Sequence, residues 1–282
     1  MAAGTPADGS GPDSSSSWTL LVQCLTVECP DRSVLLEEAV ERLRDTGATM
    51  FEAVVGAPLA RYGPRVTLNP GPDPAATARR LGFGAHPWGP PSWYGLRFGP
   101  DDELRVKAYH RTSPERGWDL VPARARLPAG LPDGLVPQVA ALDGDRTEVY
   151  FRRLPAGPWT SFAAACLDLL TTPAVEAPAY APLPRPVPEG HCVSLSWSGD
   201  ELAAVTLYAQ DRCLPDDPEV AQAWVRGLEE VDRRSYEAAL GAVRAIGRAG
   251  PRRCHGLLGW TTAADGSTSR AVSLRVVDAP SS

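Results

Sequence analysis

The feature of this sequence that most constrains its fold is a repeated alternation of polar and apolar residues in segments of strand length. Residues 104–110 read LRVKAYH, so the apolar Leu, Val and Ala side chains alternate with polar Arg, Lys and Tyr side chains. Residues 146–151, which read RTEVYF, and residues 192–197, which read CVSLSW, follow the same pattern. Because successive side chains of a strand point to opposite faces, each segment predicts a β-strand with one apolar and one polar face.

The predicted strands come in pairs, and segments with a helical hydrophobic period separate most of the pairs. Turn signals join the two strands of a pair, as at Asp143-Gly144 and Asp265-Gly266. Five hairpins are predicted, at residues 50–69, 93–110, 136–153, 192–210 and 254–277. Helices are predicted at residues 31–45, 73–81, 159–170 and 218–249, with a further helical segment at 18–27. This order predicts an α+β fold, a closed ten-stranded antiparallel β-barrel with outer helices.

The polar faces of the predicted strands carry an excess of positive charge. If the helices cover the apolar faces, the polar faces line a solvent-filled lumen. Its charged residues would be six cations, Arg65, Arg97, Arg105, Lys107, Arg146 and Arg275, and one anion, Glu148. Tyrosines recur at matching polar positions, at Tyr109, Tyr150 and Tyr208. Because Arg and Lys bind phosphate groups and aromatic walls suit an organic group, the lumen is predicted to hold a small molecule that carries a diphosphate.

A β-sandwich with one solvent-facing surface is the alternative to this barrel. In a sandwich the alternating charges would simply be solvated. It accounts less well for the three tyrosines at matching positions. The two folds differ in whether residues such as Arg105, Lys107 and Tyr150 converge on one enclosed cavity.

Composition sets further limits on what the chain does. With 43% hydrophobic and 22% charged residues among 282, it is expected to form one domain over residues 18–282 after a disordered tail, residues 1–17. A net charge of −6 without a basic cluster disfavours nucleic-acid partners, and no apolar run is long enough to span a membrane. The tail lacks a signal-peptide pattern and the six cysteines lack metal-site spacing, so a cytoplasmic protein with reduced cysteines and no metal site is expected.

The hairpin at residues 95–109, GLRFGPDDELRVKAY, resembles that of the ABBA-type aromatic prenyltransferases, in which an Arg-x-Lys-x-Tyr strand follows a short turn. Residues 147–151 (TEVYF), the strand pair within 194–208, and the strands within 56–68 resemble further barrel strands of the indole and tryptophan branch. The resemblance covers most of the chain from Met50 onward. It implies the PT barrel that is typical of this family, with a polar lumen inside a ring of helices.

The resemblance also implies roles for individual residues. Arg65, Arg105 and Lys107 would bind the diphosphate, and Arg275 joins them on the same predicted face. Residues expected to shield the allylic cation from water are Tyr109, Tyr150 and Tyr208, and those expected to contact the acceptor are Trp93, Arg97, Ser194 and Thr206. The family's glutamate, which assists deprotonation, falls on Ala60 in this sequence, so Glu52 and Glu148 are the candidate bases. Aspartate-rich metal motifs are missing, so no obligatory cofactor is expected and Mg²⁺ is not implied.

These observations lead to one main hypothesis and two alternatives. The main hypothesis is a bacterial aromatic prenyltransferase of secondary metabolism, a monomer or homodimer. It would transfer a dimethylallyl or related prenyl group from its diphosphate to an indole, tryptophan-like or phenolic acceptor. The first alternative is a non-catalytic barrel that binds a small hydrophobic or anionic ligand. The second is another enzyme activity on the same barrel, with Glu148 as acid or base.

Overall fold

The computed structural model describes the chain in several ranges. These are residues 19, 22–24, 26–28, 30–44, 46–58, 64–84, 88–98, 103–119, 121, 131–144, 146–153, 159–170, 191–210, 214, 216–246 and 254–276. The predicted tail, residues 1–17, and Ala60 at the family's glutamate position lie outside the described residues.

Ten antiparallel strands form a closed barrel in which each strand pairs with its neighbours in sequence and the last strand pairs with the first. The strands are β1 Thr49–Ala57, β2 Pro64–Asn69, β3 Trp93–Phe98, β4 Leu104–Arg111, β5 Leu135–Asp143, β6 Arg146–Arg153, β7 His191–Ser198, β8 Glu201–Gln210, β9 His255–Ala263 and β10 Thr268–Arg275. The predicted closed barrel is therefore confirmed, and the sandwich is excluded.

The sequential pairing gives the barrel two different ends. The connections within the pairs β1–β2, β3–β4, β5–β6, β7–β8 and β9–β10 all lie at one end, which we call the hairpin end. The longer connections, which contain the helices, lie at the opposite end, which we call the helix end. All odd-numbered strands consequently run in one direction, from the helix end to the hairpin end.

Six helices are described in full, and none of them is long and apolar enough to cross a membrane. They are α1 Pro30–Arg44, α2 Pro74–Arg80, α3 Pro114–Asp119, α4 Trp159–Leu167, α5 Asp217–Val225 and α6 Glu230–Ile246. The prediction of a single helix over residues 218–249 is wrong, because α5 ends before Gly227, whose φ of +73° a helix does not tolerate. Helix α3 was not predicted, and residues 22–24 are helical within the segment expected to be so.

The hydrophobic core lies between the barrel wall and the helices. Leu96 and Leu274 of the wall pack in one cluster with Leu36 of α1 and Leu240 of α6. A second cluster joins apolar wall residues to α4, and its largest members are Phe151, Leu195, Trp197, Phe162 and Leu167. Burying each such side chain contributes about 1.5–3 kcal/mol. The apolar strand faces therefore point outward under the helices, and the polar faces point into the lumen.

A buried polar network connects α5, α6 and β9 outside the lumen. The Nδ1 atom of His255 lies 2.8 Å from Oδ1 of Asp217, and its Nε2 atom lies 2.8 Å from the Tyr236 hydroxyl. Because a carboxylate only accepts, Nδ1 of His255 donates to Asp217. Asp217 also accepts from the backbone N–H groups of Cys254 and His255. Burial raises the pKa of Asp217, but these hydrogen bonds outweigh burial and hold it below its ordinary value.

Replacing Asp217 by asparagine is expected to lower the free energy of unfolding by roughly 2 kcal/mol, because charge-assisted hydrogen bonds to buried groups are lost. Since the folded-state pKa is depressed, the carboxylate stabilises the fold above its unfolded pKa, about 3.9, and this stabilisation is lost as the pH falls through the folded value. Urea unfolding at pH 7 and at pH 3 measures both effects. Glu219→Gln, which changes an exposed carboxylate in the same helical turn, is the control and is expected to change little.

Candidate active site

The lumen of the barrel holds a cavity of about 1280 Å³, bordered by residues from all ten strands. Most residues of the predicted site border it together, namely Glu52, Arg65, Trp93, Arg97, Arg105, Lys107, Tyr109, Arg146, Glu148, Tyr150, Thr206 and Tyr208. Ser194 and Arg275 do not border it. Ser194 is buried, with its Oγ atom 3.4 Å from the Tyr208 hydroxyl, and Arg275 is placed beside Glu52 by the pairing of β10 with β1.

Four aromatic rings follow one another around the cavity wall. The rings of Trp93 and Tyr109, which face each other across β3 and β4, are stacked with centroids 5.6 Å apart. Centroids of Tyr109 and Tyr150 are 5.9 Å apart, and those of Tyr150 and Tyr208 are also 5.9 Å apart. We call these four residues the aromatic belt. It offers a continuous π surface, which attracts a cation and excludes water.

Two glycines in the barrel wall make room for the rings of the belt. A Cβ atom at Gly259 would lie 2.9 Å from Cε1 of Tyr208, the residue opposite it on β8. A Cβ atom at Gly95 would lie 3.2 Å from Cε2 of Tyr109. The sequence analysis missed both positions, although a glycine inside a strand is itself a signal of close approach by another group.

Replacing Gly259 by alanine is expected to displace the Tyr208 ring and to lower the free energy of unfolding by about 1–3 kcal/mol, the usual cost of overpacking. Thermal unfolding measures the change. Gly241→Ala is the matched control, because Gly241 lies exposed on α6 with open space around it. That variant is expected to be about 0.5–1 kcal/mol more stable, since alanine favours a helix. Equal stability of the two variants would contradict the packing role of Gly259.

Lys107 and Glu148 form a buried ion pair in the cavity wall. The Lys107 ammonium donates a hydrogen bond to Oε2 of Glu148 and another, of 3.2 Å, to the Tyr150 hydroxyl. The ammonium also lies 5.3 Å and 5.5 Å from the ring centres of Tyr109 and Tyr150. Burial alone would raise the pKa of Glu148, but Lys107 outweighs burial and lowers it to about 2. Glu148 is therefore a carboxylate at neutral pH and a weak base.

Glu52 is another carboxylate that borders the cavity, and its surroundings raise its pKa, whereas those of Glu148 lower it. Burial raises the pKa of Glu52, and hydrogen bonding to Ser273 and the charges of Arg275 and Arg65 offset only part of the rise. A Cβ atom at Gly256 would lie 3.2 Å from Oε1 of Glu52, so this glycine leaves space for the carboxylate. Of the two candidate bases, Glu52 is the more basic.

The prediction that the lumen holds six cations and one anion is wrong. Glu52 belongs to the same wall as Glu148, and Arg97 pairs with the buried Asp143, which the sequence analysis took as a turn residue. Arg105 pairs with Glu103 at the hairpin end.

Arg65 and Arg97 differ in the partners of their guanidinium groups. Burial lowers the pKa of Arg97, and the nearby charge of Arg65 adds to this effect. The Nε atom of Arg65 is buried and makes no hydrogen bond within the part of the chain that the structure describes. Arg65 borders the cavity, so its guanidinium is placed to contact a phosphate group there.

No protein-family model and no curated protein sequence matches this chain. Solved structures match over nearly the whole chain. The apo form of the prenyltransferase PriB has 18% sequence identity and a TM-score of 0.65, over 94% of this chain and 97% of that one. The structure of 5-dimethylallyltryptophan synthase from Streptomyces coelicolor has 16% sequence identity and a TM-score of 0.61, and the match covers 94% of this chain and 97% of that one. The structure of 6-dimethylallyltryptophan synthase from Micromonospora olivasterospora, in complex with DMASPP and Trp, has 16% sequence identity and a TM-score of 0.60. This match covers 94% of this chain and 98% of that one. The chain therefore has the fold of the ABBA prenyltransferase barrels, as the hairpin at residues 95–109 led us to expect.

Proposed function

We propose that this protein is an aromatic prenyltransferase that moves a dimethylallyl or related prenyl group from its diphosphate to an indole, tryptophan-like or phenolic acceptor. The observation that carries the proposal is the position of the Lys107 ammonium, within 5.5 Å of the ring centres of Tyr109 and Tyr150 in one enclosed cavity. A cation that can bind a phosphate group therefore lies next to an aromatic surface. The complex of the fold neighbour from Micromonospora olivasterospora with DMASPP and Trp supports the same pair of ligands.

The reaction begins when the C–O bond between the prenyl group and its diphosphate breaks, and the electron pair leaves with the diphosphate. Lys107 and Arg65 stabilise the negative charge that develops there, in a site of low dielectric where fixed charges act strongly. The aromatic belt faces the allylic cation and keeps water from trapping it as an alcohol. The acceptor ring then attacks the cation, and a new C–C bond forms.

The last step returns the acceptor to aromaticity by loss of a proton from the attacked carbon. We assign this proton to Glu52 rather than Glu148, because burial raises the pKa of Glu52 whereas Lys107 lowers that of Glu148. Arg275, which is next to Glu52 in the strand register, then acts on the base more directly than on the diphosphate.

The other predicted site residues are distributed along the same cavity. Arg97 and Thr206 border it and remain candidates for contact with the acceptor, as does Trp93 of the aromatic belt. Ser194 contacts Tyr208 and Glu148, so it is a positioning residue. Arg105, paired with Glu103 at the hairpin end, is a candidate for an outer phosphate contact.

We further propose that the enzyme acts in the bacterial cytoplasm, in secondary metabolism, without an obligatory metal and as a monomer or homodimer. Three cysteines of the described part of the chain, Cys24, Cys166 and Cys254, are free thiols, which fits a reducing compartment. Turnover in the presence of excess EDTA is expected to equal turnover with added Mg²⁺. A strict requirement for Mg²⁺ would contradict this part of the proposal.

The proposed function is tested by turnover of dimethylallyl diphosphate with a panel of indoles, tryptophan and phenols. Mass spectrometry is expected to show an acceptor that has gained one prenyl group with release of diphosphate. Saturable binding of both substrates without any product would instead favour a ligand-binding barrel. Product from a substrate that has no diphosphate would favour a different enzyme activity.

A further inference from the structure

One cation of β3 and one of β4 each have a carboxylate partner. Lys107 pairs with Glu148, and Arg97 pairs with Asp143. The Lys107–Glu148 pair reaches from β4 to β6 across β5, where the small Ala141 stands opposite Glu148 and leaves room for it. Lys107 and Glu148 are both about nine-tenths buried, so water screens their attraction little.

This pairing affects how a diphosphate can bind. A diphosphate that approaches Lys107 also approaches the Glu148 carboxylate, and like charges at close range repel strongly in a buried site. The ammonium of Lys107 has three protons, of which the hydrogen bonds to Glu148 and Tyr150 take two. Arg65 borders the same cavity, but a diphosphate needs several donors, so it is expected to need Lys107 as well.

We infer that the diphosphate of the donor binds by displacing the Glu148 carboxylate from Lys107, so that Glu148 is a removable counterion of Lys107. The inference rests on the proposed function and deepens it, because it explains how a lysine that is paired with a buried carboxylate becomes available to a polyanion. Without Glu148, Lys107 would remain a buried, unpaired charge whenever the site is empty, which is costly. The counterion therefore stabilises the free enzyme at the expense of donor affinity.

Displacement changes the protonation of Glu148. The charged or titratable groups that face it are Arg97 of β3, Lys107 of β4, Tyr150 of β6 and Tyr208 of β8. Once Lys107 turns to the diphosphate, its attraction no longer outweighs burial, and the pKa of Glu148 rises from about 2. Where the raised pKa comes close to the working pH, binding is expected to be accompanied by proton uptake at Glu148.

The test measures binding of inorganic pyrophosphate to the full chain by isothermal titration calorimetry. Glu148→Gln is expected to bind pyrophosphate about tenfold or more tightly than wild type, because the competing charge is gone. The gain is expected to disappear when Lys107→Gln is added, since the competition is for Lys107. Titrations in buffers of different ionisation enthalpy are expected to show proton uptake in wild type that is reduced in Glu148→Gln.

Two further variants keep the test decisive. Glu201→Gln changes an exposed carboxylate at the hairpin end of the same cavity and is expected to leave pyrophosphate affinity unchanged. Glu148→Met removes the charge with an apolar side chain of similar length, and it replaces Glu148→Gln if that variant does not fold. Equal or weaker binding by the folded Glu148 variant, or a gain that persists without Lys107, would overturn the inference.

The outcomes for the inference and for the proposed function are distinguishable. If wild type transfers prenyl groups but removal of the Glu148 charge does not strengthen binding, the inference is wrong and the function stands. If the Lys107-dependent gain is found but no acceptor is prenylated, the lumen is a polyanion site and the proposed function is wrong. If neither wild type nor the Glu148 variants bind pyrophosphate, both are wrong.

Discussion

Lys107→Ala is expected to lower kcat/KM for prenyl transfer by about 10²–10³, the usual cost of removing one preorganised charge stabiliser. The Lys107 ammonium is a buried cation that lies 5.3 Å and 5.5 Å from the ring centres of Tyr109 and Tyr150. The diphosphate leaving group and the allylic cation separate at this point of the lumen, so lost stabilisation there acts directly on the transition state. Steady-state turnover of dimethylallyl diphosphate with the best acceptor measures the effect.

Two controls separate this loss of catalysis from loss of the fold. Lys107→Ala leaves Glu148 buried without its partner, which by itself is expected to cost about 3–5 kcal/mol of stability. The double variant Lys107→Met/Glu148→Leu removes both charges and is expected to be stable while its kcat/KM falls by a similar factor. Arg79→Ala removes an exposed cation of α2 that does not border the cavity and is expected to keep activity within a few-fold. Substantial turnover by Lys107→Ala would show that the diphosphate binds elsewhere.

Tyr150→Ala is expected to raise the ratio of dimethylallyl alcohol to prenylated acceptor by about thirtyfold, because more of the allylic cation reacts with water. Tyr150 is one of the two inner members of the aromatic belt, with its ring centroid 5.9 Å from those of both Tyr109 and Tyr208. A desolvated cation–π contact is worth about 2 kcal/mol, and the same deletion opens the belt to water. The ratio of alcohol to prenylated acceptor, measured by chromatography, reports this partition independently of the overall rate.

Tyr150→Phe is the matched control, because it keeps the π surface and removes only the hydroxyl that accepts from Lys107. Its ratio of alcohol to product is expected to stay close to that of wild type, with a modest change in rate. If Tyr150→Ala and Tyr150→Phe gave the same ratio, the ring would not shield the cation, and the role assigned to the belt would be wrong.

The barrel and the orientation of its strands follow from the period-2 pattern of the sequence. The alternation in segments such as residues 104–110 determines which side chains lie on the same face of a strand. This depends only on their positions along the chain, so the assignment from the sequence also holds in the folded protein. The structure accordingly places Lys107, Glu148 and Tyr150 together in one cavity. Hairpin boundaries were also close to the observed ones, because Asp-Gly turns and glycine-containing loops are local signals.

The partners of the charged side chains depend on contacts between distant strands, which no local pattern contains. Asp143 is the last residue of β5 and precedes a glycine, so in the sequence it has the signature of a turn residue, yet it is buried against Arg97. Likewise the pairing of Lys107 with Glu148 depends on the stagger of β4 relative to β6. The break between α5 and α6 was missed because hydrophobic residues continue on both sides of Gly227, and only its positive φ reveals the interruption.

A crystal structure of the protein with inorganic pyrophosphate would test most directly whether the lumen is a diphosphate site. The account predicts pyrophosphate oxygens within about 3.2 Å of the Lys107 ammonium and the Arg65 guanidinium, next to the aromatic belt. Glu148 is expected to have moved away from Lys107 in that structure. Pyrophosphate bound outside the lumen, or a lumen without it at saturating concentration while Lys107 and Glu148 stay paired, would contradict the account.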